Sequence, residues 1–494
     1  MKSTILIRRR PALHAAAMKQ TVLFSLFFLF AAHAFCFFNL TYSSGSVMLN
    51  VSDGRSAQIA GGQFLLPIYW RIRGSLSAPL FIGMLSALYL TLTNLVLVCL
   101  LQLTQPAFVF ALCGATTVNA AVLSICAASL HTADAAFLAM LLCALACASC
   151  MYLRLGALPG ALMLTCALAL DAGSCAFFAA LALIAGLSNL LLDGSAKSFL
   201  TDLARFLLAA IAGIALYLIG FSLMLRRSSL SAGAAPLLFG GDLLGAYLAP
   251  MRALLAPLTA YPSLSVMIRA LYIPLCVYAV VRFRREKGAA SAALLAAGML
   301  LLPLFAAFTL LSGQESIQIT PAHCLLDILA ILLLSRILPD SIRLRRAAAA
   351  VLGILFLGGI VFSNQVYLKK NLEFESTLSV MTRVIARIES VEGYQPGHTP
   401  IAVIGTPEAS ALSAQRRGFE HLSALDAASA NYAIASDTDM TWYIWEVMGY
   451  PLNFVSTYDL ARLRQTEEAQ AMPLFPQEGC CRFIGDTLVI KISD

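Results

Sequence analysis

Charge is scarce in this sequence. Asp, Glu, Lys and Arg make up 12% of its 494 residues, where a soluble domain carries about 25%. Hydrophobic residues account for 60%, and the mean hydropathy is +0.82. That balance excludes an ordinary soluble enzyme and leaves a polytopic membrane protein. Several chemical signatures are missing too. There is no P-loop, no G-x-S-x-G and no G-x-G-x-x-G after a strand, so nothing marks primary ATP-driven transport or a common hydrolase. The six histidines form no H-E-x-x-H, and none pairs with cysteine at metal spacing. No internal repeat is visible. Cysteine is plentiful, at thirteen, but eleven of these lie in or beside apolar segments and read as small buried hydrophobes. Cys480 and Cys481 are adjacent and are given no role. The net charge of +7 is carried by short basic clusters between apolar stretches, as membrane topology requires. It is no sign of nucleic acid.

A membrane-spanning helix needs roughly 20 apolar residues. Eleven candidates lie near 21–38, 79–103, 107–128, 133–152, 156–171, 174–192, 206–225, 266–281, 289–311, 320–337 and 347–363. The fifth and sixth, interrupted by Asp171-Ala-Gly-Ser, read equally as one kinked helix or a re-entrant pair. The N-terminus resembles a signal sequence, but with so many spans behind it an uncleaved first helix is the better reading. Lys and Arg recur in alternate loops: Arg8 to Arg10, Arg154, Lys197 with Arg205, Arg282 to Lys287, and Arg336 to Arg346. Placing these inside puts the N-terminus in the cytoplasm and the C-terminus outside. Loops 39–78, 226–265 and 312–319 then face out. They still hold Arg55, Arg71, Arg73, Arg226, Arg227 and Arg252. Cations on that side call for an anionic ligand. The sequons at Asn39 and Asn50 matter only in a eukaryotic cell, and the expected setting is a bacterial cytoplasmic membrane.

Composition changes after residue 363. The segment 364–392 reads as an amphipathic helix with Leu378, Met381, Ile385 and Ile388 on one face. PIAVIGT reads as a buried strand, MTWYIWEVMG and DLARLRQTEEAQ as helices, and CRFIGDTLVIKIS as a hairpin turning at Gly-Asp. The expected organisation is a transmembrane region, 1–363, and an extracytoplasmic α/β domain, 364–494.

Asp437-Thr-Asp439 has the form of a metal-holding D-x-D. It directly precedes a helical pattern, where Asp is the expected N-cap, and the capping reading is preferred. Asp171 and Asp327 lie at the ends of apolar spans. An intramembrane acid is a functional candidate, with interfacial solvation an equal alternative. The richest stretch is NVSDGRSAQIAGGQFLLPIYWRIRG, residues 50–74. One reading is an interfacial loop with belt aromatics and snorkelling arginines. The other is a site. Asp53 would take a proton from a sugar hydroxyl as it attacks, and the arginines would bind a departing phosphate. Gly54, Gly61 and Gly62 would admit close backbone approach. Tyr69 and Trp70 would stack on a sugar ring or anchor the loop among headgroups.

Taken together, the order of parts resembles the type II O-antigen glucosyltransferase family. The parts are a basic N-terminus and first span, an outer loop with Asp53-Gly-Arg55, GGQFLLP leading toward the second span with Trp70-Arg71 nearby, and some ten further spans. An external segment then opens with PIAVIG and closes with IGDTLVIKIS. The resemblance covers the whole chain in layout. It implies a GT-C-like membrane glycosyltransferase that moves a hexose, glucose by that likeness, from polyprenyl phosphate to a surface glycan at the outer face. On this view the bilayer, the lipid-linked sugar donor and the glycan acceptor are its partners. Asp53 is the base implied, with Glu315 in reserve. Arg55, Arg71 and Arg73 hold phosphate, and Asp242 and Arg252 supply a second wall. No cofactor is demanded, a divalent ion being compatible but not indicated. Two rival readings are a flippase of lipid-linked glycans and a glycan polymerase.

Overall fold

The computed structural model describes residues 15–39, 55–228, 247–248, 251, 257–306, 322, 324–337, 341–407, 434 and 437–494. Among the described residues, fifteen α-helices precede the first strand: α1 (Ala15–Phe38), α2 (Arg55–Ala60), α3 (Leu66–Arg73), α4 (Pro79–Leu100), α5 (Pro106–Thr117), α6 (Ala120–Ala128), α7 (Leu130–Tyr152), α8 (Ala157–Leu170), α9 (Ser174–Asp193), α10 (Ala196–Ser228), α11 (Pro262–Ala270), α12 (Tyr272–Lys287), α13 (Ala289–Ala306), α14 (Cys324–Ile337) and α15 (Ile342–Glu389). Among the described residues, eight helical segments are long and apolar enough to cross a membrane, and α8 and α13 are shorter apolar helices. Leu23, Phe30, Leu207, Leu208 and Ile211 are each about 60% exposed. In water such a surface would aggregate; in lipid it is the expected outer face of a bundle.

Breaks in the helices have local causes. Val118 leaves helical geometry, and the Asn119 side chain accepts from the backbone N–H groups of Ala121 and Val122. This cap divides the expected span 107–128 into α5 and α6. Asp171 Oδ1 accepts from Gly173 N at 3.3 Å, and the segment 156–192 forms two separate helices, α8 and α9. Buried polar contacts tie helices together. Asn94 Nδ2 donates to Ser25 Oγ at 2.9 Å and Thr116 Oγ1 to Asn94 Oδ1 at 2.5 Å, joining α1, α4 and α5. Near the end of α1, His33 Nδ1 bonds the Tyr367 hydroxyl at 2.6 Å, and its Nε2 bonds Thr117 O at 3.0 Å. Both ring nitrogens are thus occupied by protein atoms.

Residues 55–74 are not a surface loop. They form α2 and α3 and are held against the bundle. Leu65 N donates to Ala169 O at 3.0 Å, the Tyr217 hydroxyl donates to Gly62 O at 3.2 Å, and Phe64 stacks on Tyr217 at 5.8 Å.

The expected last span and the amphipathic helix after it are one rod. α15 runs for 48 residues, about 72 Å at 1.5 Å per residue. Its first half buries Leu352, Phe356 and Phe362 in the bundle core. Its second half buries Val380, Met381, Val384, Ile385 and Ile388 in a separate core. Leu378 is 39% exposed, contrary to expectation. Thr377, one turn before Met381, takes the inward position, and Leu378 lies one helical step of about 100° away from it.

Beyond α15 lie β1 (Pro400–Ile404), α16 (Asp437–Trp442), a π-helical turn (Tyr443–Val447), β2 (Asn453–Phe454), α17 (Thr457–Arg464), α18 (Glu467–Gln470), β3 (Cys481–Ile484) and β4 (Thr487–Lys491). The sheet order is β2-β1-β4-β3. β1 runs parallel to both neighbours, and β3 and β4 form the expected hairpin. Alternation along β1 sends Ile401 and Val403 toward α15, and Ala402 and Ile404 toward Leu460 and Ala469 of α17 and α18. Thr466 caps α18 through Ala469 N, which splits the single helix expected there. Asp437 and Asp439 lie within α16 rather than before it, a correction to the N-cap reading.

Helix packing here relies on small residues. A Cβ on Gly114 of α5 would collide with the Phe356 ring of α15. Gly114→Leu is therefore expected to destabilise the bundle by about 1–3 kcal/mol through overpacking, read as a lower unfolding midpoint in detergent. An unchanged midpoint would contradict this contact.

Candidate functional site

α3 has the sequence Leu-Pro-Ile-Tyr-Trp-Arg-Ile-Arg. Pro67 suits its first turn, and Gly74, at φ 104°, ends it in the left-handed region that glycine tolerates. Tyr69 and Arg73 are one turn apart and share a face. That face meets the N-terminal end of α7, where Leu130-His-Thr-Ala-Asp134 begins a spanning helix. Arg73 Nη1 donates to Asp134 Oδ1 at 2.6 Å and to His131 O at 2.9 Å. The Tyr69 hydroxyl donates to Asp134 Oδ2 at 2.8 Å. The two charged side chains are 1% and 0% exposed. Burial, followed by the neighbouring Asp134 charge, pushes the Tyr69 phenol up from its ordinary pKa, so it remains a donor. Trp70 lies 5.9 Å from His131, ring to ring.

The cluster holds more donors than the protein itself uses. Among the described residues, Arg73 Nε, Arg73 Nη2, Trp70 Nε1 and His131 Nδ1 are buried with no hydrogen-bond partner, as is Ser77 Oγ on the same connecting segment. Each such group costs about 1–3 kcal/mol when left unpaired in a protein interior, so a concentration of them marks a place built for an acceptor.

A second arginine clamp contrasts with it. Arg269 Nε and Nη2 donate to the two oxygens of Asp327 at 3.2 and 2.9 Å, and the Tyr272 hydroxyl donates to Oδ1 at 2.8 Å. This fork is bidentate and engages both carboxylate oxygens. Asp327 is 4% exposed, which replaces interfacial solvation by a buried ion pair. The Arg73 clamp engages its acid through one nitrogen and leaves two others without a hydrogen-bond partner among the described residues.

The sequence-derived candidates fare differently. Asp53, Asp242, Arg252 and Glu315 lie outside the described residues. Arg55 and Arg71 are exposed. Tyr69, Trp70 and Arg73 are brought together, with one correction. Trp70 is 2% exposed and packs with Leu66 and Ala135, so it is neither a stacking platform nor a headgroup anchor; only its N–H remains to offer. Asp134, His131, Arg269 and Tyr272 were not singled out in the sequence. The available signal was a charged residue inside an apolar span. Among the described residues, no group of three or more His, Cys, Asp or Glu is placed to hold a metal.

No protein-family model matches this chain, and no curated protein or solved structure matches it either. It is a multi-pass helical membrane protein.

Breaking a buried pair leaves an uncompensated charge and costs about 3–5 kcal/mol, whereas replacing both partners by apolar residues is far less costly. Arg73→Ala and Asp134→Ala are each expected to lower stability in detergent by that amount, and the double variant Arg73→Met/Asp134→Leu to recover most of it. Single variants as stable as wild type would show that the pair is not formed.

Proposed function

We propose that the protein is a membrane glycosyltransferase that moves a hexose from polyprenyl phosphate to a surface glycan on the outer face of the bacterial cytoplasmic membrane. The observation that carries this reading is the set of unpartnered buried donors around Arg73. A phosphate oxygen is the acceptor that guanidinium Nε and Nη2 fit as a pair. The anchoring of Arg73 on Asp134 supports it, because a pre-positioned guanidinium needs no reorganisation as charge develops on the leaving phosphate. Resemblance to the type II O-antigen glucosyltransferases supplies the sugar, glucose, and the GT-C-like class. It also supplies the topology, with a cytoplasmic N-terminus, eleven spans and an external C-terminal domain.

In this mechanism an acceptor hydroxyl attacks the anomeric carbon. Its proton passes to a carboxylate, Asp53 by preference and Glu315 otherwise. The bond from the anomeric carbon to the phosphate oxygen breaks, and the electron pair leaves with polyprenyl phosphate. The hydroxyl has a pKa far above 7, so proton transfer accompanies attack. The leaving phosphate needs charge stabilisation rather than a proton, and Arg73 supplies that role, with Arg55 and Arg71 as exposed partners for the incoming headgroup.

The flippase reading draws on one observation, the two buried Arg–Asp pairs, since intramembrane charges also mark transport pathways. Asp134 is the fifth residue of α7 and Asp327 the fourth of α14. Both therefore sit near helix ends rather than at the midplane where transporters place their sites, which favours the transferase.

The deciding assay supplies purified protein with polyprenyl phosphate carrying radiolabelled glucose and a crude surface-glycan acceptor. Wild type is expected to transfer label. Asp53→Asn is expected to lose at least about 100-fold in rate, the range of a general base, and Arg73→Met/Asp134→Leu to lose transfer while remaining folded. Equal transfer by wild type and Asp53→Asn would remove Asp53 as the base. No transfer by wild type from any lipid-linked hexose would favour the flippase.

A further inference from the structure

The turn that carries Trp445 is π-helical, Tyr443–Val447. Such turns are rare and recur at functional sites. Trp445 is 45% exposed, yet its ring is fixed. Its Nε1 donates to Leu452 O at 3.1 Å, and it meets the rings of Trp442 and Phe454 edge-on at 6.2 and 5.9 Å. It forms one wall of a cleft of about 390 Å³ that Gly397, Gly449, Tyr450 and Asn453 also line. A Cβ on either glycine would meet nothing within 4 Å, so the mouth is open. Polar groups surround the aromatic face. Asn453 Nδ2 is held by His398 O at 3.0 Å, leaving its carboxamide oxygen as an acceptor. The Tyr450 hydroxyl is held by Glu389.

The surroundings narrow the ligand. Among the described residues the cleft is lined by no Lys or Arg, and Glu389 stands beside it, so phosphate-bearing ligands and nucleic acid are disfavoured. A lipid surface is disfavoured by distance. Glu389 lies 22 residues beyond Tyr367, the last residue of α15 in the bundle core, or about 33 Å along the helix. A membrane-anchoring tryptophan would sit at the headgroups. A fixed, half-exposed indole ringed by hydrogen-bond acceptors, remote from lipid, suits a neutral, hydroxyl-rich ring. Its C–H face packs on the indole while its hydroxyls donate to Asn453 and Glu389.

We infer that the Trp445 cleft binds a neutral oligosaccharide. Resting on the transferase reading, the inference names its occupant as a distal stretch of the acceptor glycan. The length of α15 between cleft and bundle then makes the acceptor a polymer rather than a single sugar.

The test uses the full-length protein in detergent and calorimetric titration, without donor. The ligands are neutral oligosaccharides of graded length and a delipidated envelope polysaccharide, with an unstructured peptide and lipid micelles as comparators. The wild type is expected to bind the longer glycans. Trp445→Ala should weaken binding about tenfold or more, and Trp445→Phe, which keeps the apolar packing, should weaken it less, with unfolding midpoints confirming that both are folded. Binding of peptide or micelles in place of glycans, no binding of any glycan, or equal binding by folded Trp445→Ala would each overturn the cleft. Transfer kinetics separate the two proposals. Glycan binding without transfer by wild type leaves the cleft standing and removes the transferase. Transfer with KM for the polymer unchanged in Trp445→Ala, when a short acceptor also reacts equally, leaves the transferase standing and removes the cleft.

Discussion

A carboxylate inside a bundle surrounded by lipid must be neutralised where it sits, and Asp134 is neutralised by Arg73. Desolvating both charges is expensive, and their attraction offsets this only with good geometry and further hydrogen bonds. Both conditions are visible: a 2.6 Å contact, a second bond from Arg73 to His131 O, and the Tyr69 hydroxyl on the other carboxylate oxygen. The pair dictates much of what surrounds it. α3 has to lie across the start of α7, so the chain turns sharply at Gly74 to enter α4. The preceding residues then fall against α8 and α10, where Leu65 and Gly62 find backbone and tyrosine partners. A segment that would otherwise be a loose outer loop becomes part of the bundle wall.

Rigidity is transmitted in the other direction by α15. One helix belongs to both cores, and no flexible linker separates the bundle from the sheet. The sheet packs on its second half through alternate residues of β1 and β4, so its position follows from the helix rather than from a domain interface. Lys369 and Glu373, a turn apart on the rod between the cores, form a nearly buried ion pair at 2.8 Å. A rod of this kind fixes the separation between whatever the bundle binds and whatever the sheet region binds, which suits an extended ligand better than a small one.

The apolar runs were legible because lipid enforces them. A spanning segment must satisfy its own backbone and present grease outward, and both demands are written in composition. β1 and the Gly485-Asp486 hairpin were legible for a similar reason, their strand patterns and turn residues being local. Local reading stopped where helix ends depended on partners. Asn119 interrupts a continuous apolar run, Thr466 divides a helix, and α15 continues past its span because both of its halves have a core to join.

The candidate site shows the same division. Arginines and aromatics in the 50–74 stretch were conspicuous by type, and composition alone made the chain a multi-pass membrane protein. Sequence also determined that Tyr69 and Arg73 share a helical face, once a helix is granted. Only the tertiary structure decided that Asp134, 61 residues further on, meets that face, that Trp70 turns inward, and that among the described residues two buried nitrogens of Arg73 find no hydrogen-bond partner while Arg269 forks both oxygens of Asp327. The reason is physical. Which buried charges meet, and which donors remain, depends on how separate helices cross, and no periodicity within one helix encodes that.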